Sequence, residues 1–173
     1  ITMDLKEINN LVLIIGKTEG HIDQSLFART ILDEKNGPPP EINLFNEKNN
    51  GESLLNLIEK DYIKSAHDIS LGGLITAISK MCIKGDKGIK LKKPKNLINE
   101  IEYFFAEDQG RYLIEVNPQD LKNVSKILDK NSVFHEELGV IIDKEIIINE
   151  KTKLTIDELR SYNTSWLKNY MDA

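Results

Sequence analysis

The residues whose types and spacing could support chemistry fall into three short segments of the sequence. The first, residues 67–73, reads His-Asp-Ile-Ser-Leu-Gly-Gly. It lies between a predicted strand and a predicted helix, where backbone amides and the helix dipole favour an anion. The candidate nucleotide or phosphate ligands in this segment are His67, Asp68, Ser70, Gly72 and Gly73.

The same segment also has a structural interpretation. Two adjacent glycines allow a tight turn and close packing of a helix on a strand. Asp68 and Ser70 can cap backbone amides, and His67 can be a hydrogen-bonded core residue. On the residues alone, this structural interpretation is favoured over ligand binding.

The second segment, residues 107–111, places two carboxylates, an amide and a guanidinium side by side. Arginine recognises phosphate in a bidentate manner, and carboxylates can hold ribose hydroxyls or Mg²⁺. Glu107, Asp108, Gln109 and Arg111 are therefore candidates for a sugar-phosphate or metal site, with no metal-ligand set assigned. The alternative is an exposed acidic turn in which Arg111 pairs with a carboxylate.

The third segment, residues 16–21, is a loop bounded by glycines that follows a predicted strand. It adds Gly16 and Thr18 to the candidate phosphate ligands. The segment lacks the Gly-x-x-x-x-Gly-Lys-Ser/Thr pattern, so a Walker-type phosphate loop is not supported and a solvated turn is favoured.

The remaining reactive or aromatic residues are assigned to the core, and no catalytic residue is named. Cys82 lies on a predicted apolar helix face, where a thiolate is disfavoured, so it is predicted to be a buried structural cysteine. Trp166 and Tyr170 stand at helical spacing and are predicted to be core residues rather than a stacking platform.

Composition excludes several classes of protein. A net charge of -5 and a pI near 5.3 argue against nucleic-acid binding, which needs a basic face. No apolar run approaches the roughly 18 residues that suggest a membrane span. One cysteine rules out an internal disulfide, and three histidines show no zinc spacing. The first residue is Ile1 with no leader pattern after it, so we expect a cytoplasmic piece of a longer polypeptide.

Hydrophobic periodicity predicts the elements that must position these segments. Strands are predicted at residues 11–15, 63–66, 89–91, 103–106, 112–116, 133–142 and 145–148. Helices are predicted at residues 21–32, 50–58, 74–85, 118–128 and 156–170, and residues 37–40 form a proline-rich connector. Residues 107–110 are predicted to join two strands as a hairpin. The pattern predicts a single α/β (α+β) domain over residues 1–173 and leaves the strand order open.

Together the segments resemble the phosphoribosylformylglycinamidine synthase family, in the C-terminal domain of its second half, which is related to aminoimidazole ribonucleotide synthetase. The family's usual form is Ala-His-Asp-x-Ser-Asp/Glu-Gly-Gly-Leu, and residues 66–74 are similar to it. Gln24-Ser25-Leu26, the Gly-Pro-Pro-Pro of residues 37–40 and residues 105–112 follow the family's order. These segments favour the amidoligase over related thiamine-phosphate or selenophosphate synthetases.

The resemblance implies a mixed β-sheet flanked by helices, partly ferredoxin-like. It also implies an ATP-dependent amidoligase of purine biosynthesis, which uses Mg²⁺ to activate formylglycinamide ribonucleotide for attack by ammonia derived from glutamine. The implied partners are an N-terminal-type ATP-binding domain and a glutaminase subunit or domain. The resemblance therefore implies that the isolated domain is inactive and has no certain cofactor of its own.

One residue departs from the family's pattern. Leu71 stands where the family usually has Asp or Glu, which removes a carboxylate from the loop. We therefore expect residues 67–73 to face a partner domain and to contribute little direct catalysis. The alternative function is a non-catalytic structural or regulatory domain that holds an auxiliary nucleotide or a partner surface.

Overall fold

The computed structural model describes residues 1–92, 99–150 and 152–172. The strands are β1 (Leu11–Ile15), β2 (Ser65–Asp68), β3 (Gly88–Leu91), β4 (Tyr112–Val116), β5 (His135–Ile142), β6 (Glu145–Ile148) and β7 (Thr152–Thr155). The helices are α1 (Leu26–Thr30), α2 (Leu44–Glu59), α3 (Gly73–Gly85), α4 (Glu100–Phe105), α5 (Leu121–Lys130) and α6 (Ile156–Met171). The strands form one sheet in the order β2-β4-β1-β5-β3-β6-β7.

The sheet is mixed and contains a ferredoxin-like core. β3 and β6 pair in parallel, whereas the pairs β2·β4, β4·β1 and β1·β5 are antiparallel. α2 lies between β1 and β2 in the chain, and α5 lies between β4 and β5, which gives the β-α-β-β-α-β order. α3, β3 and α4 are inserted between the two halves. The predicted mixed sheet with helices is thus confirmed.

Strand β1 is central because it is buried on both faces. Its side chains alternate, so Val12 and Ile14 enter one apolar cluster while Leu13 and Ile15 enter another. The first cluster includes residues of α3, α4 and α6, and the second includes residues of α2 and α5. Helices therefore cover both faces of the sheet, as a continuous apolar strand requires.

The strand predicted at residues 103–106 is wrong, because those residues fall mostly within helix α4. The side chain of Asn99 accepts a hydrogen bond from the Ile101 amide at 2.9 Å, and Glu100 and Glu102 occupy the first turn. Both features favour a helix start. The predicted hairpin with β4 is therefore also wrong, and residues 107–110 join a helix to a strand.

Two predicted helices differ in extent from the observed ones. The helix predicted at residues 21–32 shortens to α1, because Gln24 has a φ of 63° and Ser25 caps the helix by accepting from the Ala28 amide. The helix predicted from Asn50 begins earlier, at α2, where the Asn43 side chain caps the first turn. In both cases a polar cap sets the boundary more strongly than the apolar pattern does.

Helix α5 begins later than the helix start predicted at Pro118, and strand β7 was not predicted. The Asn117 side chain accepts from the Gln119 amide, but α5 begins only at Leu121. β7, with the sequence Thr-Lys-Leu-Thr, lies directly before α6 and was not predicted. Within the described ranges, no helix is long and apolar enough to cross a membrane.

The prediction for Cys82 is confirmed, and the one for the aromatic pair is wrong. Cys82 is fully buried within α3. Trp166 and Tyr170 are 67% and 69% exposed, and their rings stack on each other with centroids 5.5 Å apart. Helical spacing placed them on one face correctly, but the domain does not cover that face.

Candidate functional site

The three segments singled out in the sequence meet at one end of the sheet. β1 and β2 both run antiparallel to β4, so Ile15 and Asp68 are each paired with Tyr112 at the start of β4. Residues 16–21 follow β1, residues 67–73 include the end of β2, and residues 107–111 precede β4. The fold therefore assembles the candidate residues into one cluster.

The Asp108 carboxylate accepts hydrogen bonds from backbone amides of the 16–21 loop. Its Oδ2 accepts hydrogen bonds from the amides of Glu19 at 3.0 Å and Gly20 at 3.2 Å, and its Oδ1 accepts from His21 at 3.1 Å. Consecutive amides of this kind form an anion-binding concavity. The loop does bind an anion, and that anion is the protein's own carboxylate.

The Glu107 carboxylate joins the first helix to the glycine turn. Its Oε1 accepts from the Leu26 amide at 2.7 Å and from the Gly72 amide at 2.8 Å. The Glu107 amide in turn donates to the carbonyl of His21 at 3.1 Å. Glu107 therefore fixes three segments of the site relative to one another.

Arg111 is buried, and its guanidinium is hydrogen-bonded to groups of the protein. Its guanidinium donates to the carbonyls of Ala106 at 2.7 Å and Asp108 at 3.1 Å, and to the Thr18 hydroxyl at 3.0 Å. The residue is 1% exposed. Burial lowers the pKa of Arg111, while the nearby Asp108 carboxylate, 3.8 Å away, opposes that shift. In the alternative interpretation, the pairing of Arg111 with a carboxylate is observed, but its exposure is wrong, because both Arg111 and Asp108 are buried.

Two glycines allow the segments to approach this closely. Gly16 has a φ of 87°, and a Cβ there would lie 2.5 Å from the carbonyl oxygen of Gly110. Gly73 has a φ of 70°, and a Cβ there would lie 2.7 Å from the carbonyl oxygen of Ala106. A larger residue at Gly16 would displace the 107–111 turn, and a larger residue at Gly73 would displace residues 104–106.

The 67–73 loop presents several of its side chains to solvent. His67 and Asp68 are neighbours, with Nδ1 and Oδ1 3.1 Å apart, and the Asp68 side chain is 59% exposed. Ser70 is exposed, and Leu71 is 53% exposed. Ser70 does not act as the cap considered from the sequence. Gly72 occupies the N-cap position of α3, where no described side chain makes a capping hydrogen bond.

A cleft of about 860 Å³ opens beside this cluster. Its lining includes Lys17, His21, Asn43, Asn46, Glu47, Asn50, Asp108 and Gln109. Among the predicted site residues, Asp108 and Gln109 line the cleft, whereas the 67–73 segment is not part of the described lining. The cleft's amides, carboxylates and lysine suit a polar ligand with several hydroxyl or amide groups.

The sequence interpretation missed the contribution of α2 to this cleft. Asn43, Asn46, Glu47 and Asn50 recur every three or four residues, which places them on one helix face. That spacing predicts a polar helix face, but it begins before the apolar positions of α2 from which the helix was predicted. Tyr112 lies nearby, and its pKa is raised by burial and by the carboxylates of Glu47 and Asp68.

Carboxylates of the protein already occupy backbone amides that a nucleotide phosphate could use in two of the predicted segments. The amides of residues 19–21 and of Gly72 already donate to Asp108 and Glu107. For metals, no group of three or more His, Cys, Asp or Glu side chains suited to an ion is found among the described residues.

Residues 7–149 match the protein family described as AIR synthase related protein, C-terminal domain. The chain belongs to this family. The match contains all three segments of the cluster and ends before β7 and α6.

A curated relative matches almost the whole length of the chain. The phosphoribosylformylglycinamidine synthase subunit PurL of Pelagibacter ubique is 65% identical over 172 residues, which is 99% of this chain and 24% of that subunit. The chain spans about a quarter of the length of the curated relatives it matches. The resemblance stated from the sequence motifs is thus confirmed.

Solved structures show the same fold. T. maritima PurL complexed with FGAR has a TM-score of 0.73 at 19% identity, with 92% of this chain and 29% of that chain covered. T. maritima PurL complexed with ATP has a TM-score of 0.68 at 18% identity, with 92% and 27% covered. At this level of identity the likeness concerns the fold alone.

Proposed function

We propose that this chain is the C-terminal domain of an ATP-dependent amidoligase of purine biosynthesis. The whole enzyme would convert formylglycinamide ribonucleotide, glutamine and ATP to formylglycinamidine ribonucleotide. The observation that carries the proposal is the 65% identity to a PurL subunit over 99% of the chain. The likeness in fold to T. maritima PurL, solved in complex with FGAR and with ATP, supports the proposal.

The domain is proposed to be inactive alone because its site face is open. Beside the polar cleft, Leu44 and Phe45 are 78% and 73% exposed, and Leu71 of the glycine loop is 53% exposed. Large exposed apolar patches commonly mark surfaces that another domain covers. We therefore propose that an N-terminal-type ATP-binding domain of the same enzyme covers this face and completes the site.

A non-catalytic role for the glycine-rich segments is the second candidate, and one observation favours it. The carboxylates of Glu107 and Asp108 saturate the amides that a phosphate would otherwise use. The cluster would then act as a rigid edge that positions the cleft and the partner surface. Both candidates place nucleotide chemistry mainly in the rest of the enzyme.

The cofactors and the location follow the same proposal. ATP or ADP and Mg²⁺ are assigned to the full enzyme, and no cofactor is assigned with certainty to this domain. The proposed partners also include a glutaminase subunit or domain, and the proposed location is the cytoplasm. Gly16, Thr18, His67, Asp68, Ser70, Gly72, Gly73, Glu107, Asp108, Gln109 and Arg111 stay predictions as ligand-binding residues.

Turnover by the complete gene product tests the proposal. The purified full-length protein is given formylglycinamide ribonucleotide, ATP, Mg²⁺ and ammonia, and ADP and the amidine product are measured together. ADP release that requires both the ribonucleotide and ammonia supports the amidoligase. ADP release independent of the ribonucleotide, or no amidine product, contradicts it.

A further inference from the structure

Helix α6 leaves the body of the domain after its first turns. Ile156 is buried and Leu159 packs against the core beside α3 and the sheet. Beyond Arg160, large apolar side chains are exposed. They are Tyr162 (79%), Trp166 (67%), Leu167 (58%), Tyr170 (69%) and Met171 (74%).

These side chains share one side of the helix, which we call the α6 face. Tyr162, Trp166 and Tyr170 recur every four residues, and Leu167 and Met171 form an adjacent row. At 100° per residue the five lie within about half of the helix circumference, together with Leu159. The side that packs on the domain near the helix start therefore continues outward without a described partner beyond the stacked Trp166 and Tyr170 rings.

The start of α6 lies away from the candidate site. The site is at the β1, β2 and β4 ends, whereas α6 follows β7 at the opposite edge of the seven-stranded sheet. Arg160 anchors the helix through a 2.7 Å ion pair with Asp86, just beyond the C-terminal end of α3. The site includes Gly72 at the other end of α3, about 18 Å away along a helix of this length. The start of α6 and the site are therefore at opposite ends of α3.

We propose that the α6 face docks onto a second surface of the same synthetase polypeptide, outside residues 1–173. The family match ends at residue 149, before α6. The PurL relative aligns with 172 residues of this chain and is about four times as long, so the helix belongs to the synthetase subunit. This inference rests on the proposed placement of the chain within such a subunit.

The size of the α6 face favours a tethered partner over a separate one. Its three aromatic side chains of roughly 150–250 Å² each, about two-thirds exposed or more, leave on the order of 300–500 Å² of aromatic surface to cover, and Leu167 and Met171 add to this area. Stable interfaces between separate proteins bury about 800 Å² on each partner. A tethered partner acts at a high effective concentration, so a smaller apolar contact suffices.

Hydroxyl-radical footprinting of the full-length protein tests the docking, because Trp, Tyr and Met side chains are modified readily when exposed. We expect Trp166, Tyr170 and Met171 to lose most of their modification in the native protein relative to the urea-unfolded protein. Modification of these residues at the unfolded level in the native full-length protein overturns the inference. Protection that appears only at high protein concentration, or only after a glutaminase subunit is added, also overturns it in favour of a separate partner.

A variant pair separates docking from other roles of the helix. Replacing Trp166 and Tyr170 by Ala in the full-length protein is expected to lower Tm by about 4 °C or more without changing the oligomeric mass. The matched control is Leu55→Ala, which removes a 59% exposed side chain on α2 and is expected to leave Tm unchanged. Equal Tm values for the two variants contradict docking. Amidoligase turnover measured in parallel tests the proposed function separately, because its absence in the wild-type protein leaves the footprint readable.

Discussion

Asp108 is the residue on which the geometry of the site loop depends most. One carboxylate accepts three backbone amides from residues 19–21 and lies beside the buried Arg111. Hydrogen bonds to charged groups contribute more than neutral ones, and a buried donor left without an acceptor is costly. The residue thus stabilises the domain and shapes the cleft wall at the same time.

Asp108→Asn is expected to lower the free energy of unfolding by about 2–3 kcal/mol, because the amide side chain removes the charge and one acceptor oxygen. Urea unfolding followed by circular dichroism measures the change. The control is Asp68→Asn, whose side chain is 59% exposed and whose expected effect is within about 0.5 kcal/mol. Equal stabilities for the two variants would show that the loop does not depend on Asp108.

Cys82 is expected to be unreactive in the folded domain. Burial raises the pKa of its thiol from 9.0 to about 12, so the reactive thiolate is absent at pH 8. A chromogenic disulfide reagent should therefore react only after urea is added. Since the pKa of the thiol is higher in the folded state, burial of the neutral Cys82 thiol contributes its full stability below pH 9. That contribution is lost as the pH rises towards 12, because the thiol of the unfolded chain ionises first. Fast stoichiometric labelling of the native protein at pH 8 would contradict this assignment.

At the residue scale, the sequence identified the members of the cluster but not the hydrogen-bond partners of their carboxylates. The family-like order of residues 67–73 and 107–111 was readable because those residues are contiguous. The partners of Glu107 and Asp108 are not contiguous, since Leu26 and Glu19 are 81 and 89 residues away. Only the assembled sheet reveals that the carboxylates point into the protein's own loops.

The start of α3 is the element whose backbone conformation is most constrained. Gly73 combines a positive φ with close contact to the carbonyls of Phe104 and Ala106. Gly51, within α2, is also a helical glycine, but a Cβ there would meet only the Tyr112 hydroxyl at 3.8 Å. The two positions therefore form a matched pair for one substitution.

Gly73→Ala is expected to destabilise the domain by about 2–3 kcal/mol through backbone strain and displacement of α4. Gly51→Ala is expected to stabilise it by about 0.5–1 kcal/mol, because alanine has the better helix propensity. Thermal and urea unfolding of both variants measure these changes. A stabilising Gly73→Ala would mean that the close approach of α3 to the 104–106 segment is not maintained in solution.

At the element scale, uninterrupted apolar runs and faces were predictive, whereas elements set by a polar cap or by strand pairing were not. β1, β4 and α3 agree with the predicted bounds because each has a strong apolar run or face stopped by a glycine or turn. The aromatic residues of α4 are typical of strands and predict one, but the Asn99 cap makes the segment a helix. β7 has only one apolar residue, and pairing with β6 rather than local preference makes it a strand.

At the scale of the whole molecule, the strand order could not be read from the sequence. β4 lies between β2 and β1, so neighbours in the sheet are far apart in the chain. The cleft depends on the same long-range pairing, because its walls come from the 16–21 loop, the start of α2 and the 107–111 turn. The family resemblance supplied the ferredoxin-like arrangement that periodicity alone left open.

We propose that the open site face and the α6 face make the domain dependent on a larger protein. The central claim is that this domain supplies one wall of a ligand site and that another domain completes it. That claim concerns affinity, so it is tested by binding rather than by stability. Circular dichroism of the isolated chain provides the control that the domain is folded during the measurement.

Isothermal titration calorimetry of residues 1–173 with ATP, ADP and formylglycinamide ribonucleotide, each with Mg²⁺, tests this claim most directly. The same titrations on the full-length protein provide the reference. We expect weak or no binding of these ligands by the isolated domain and clear binding by the full-length protein. Micromolar binding of any of these ligands by the folded isolated domain would contradict the account.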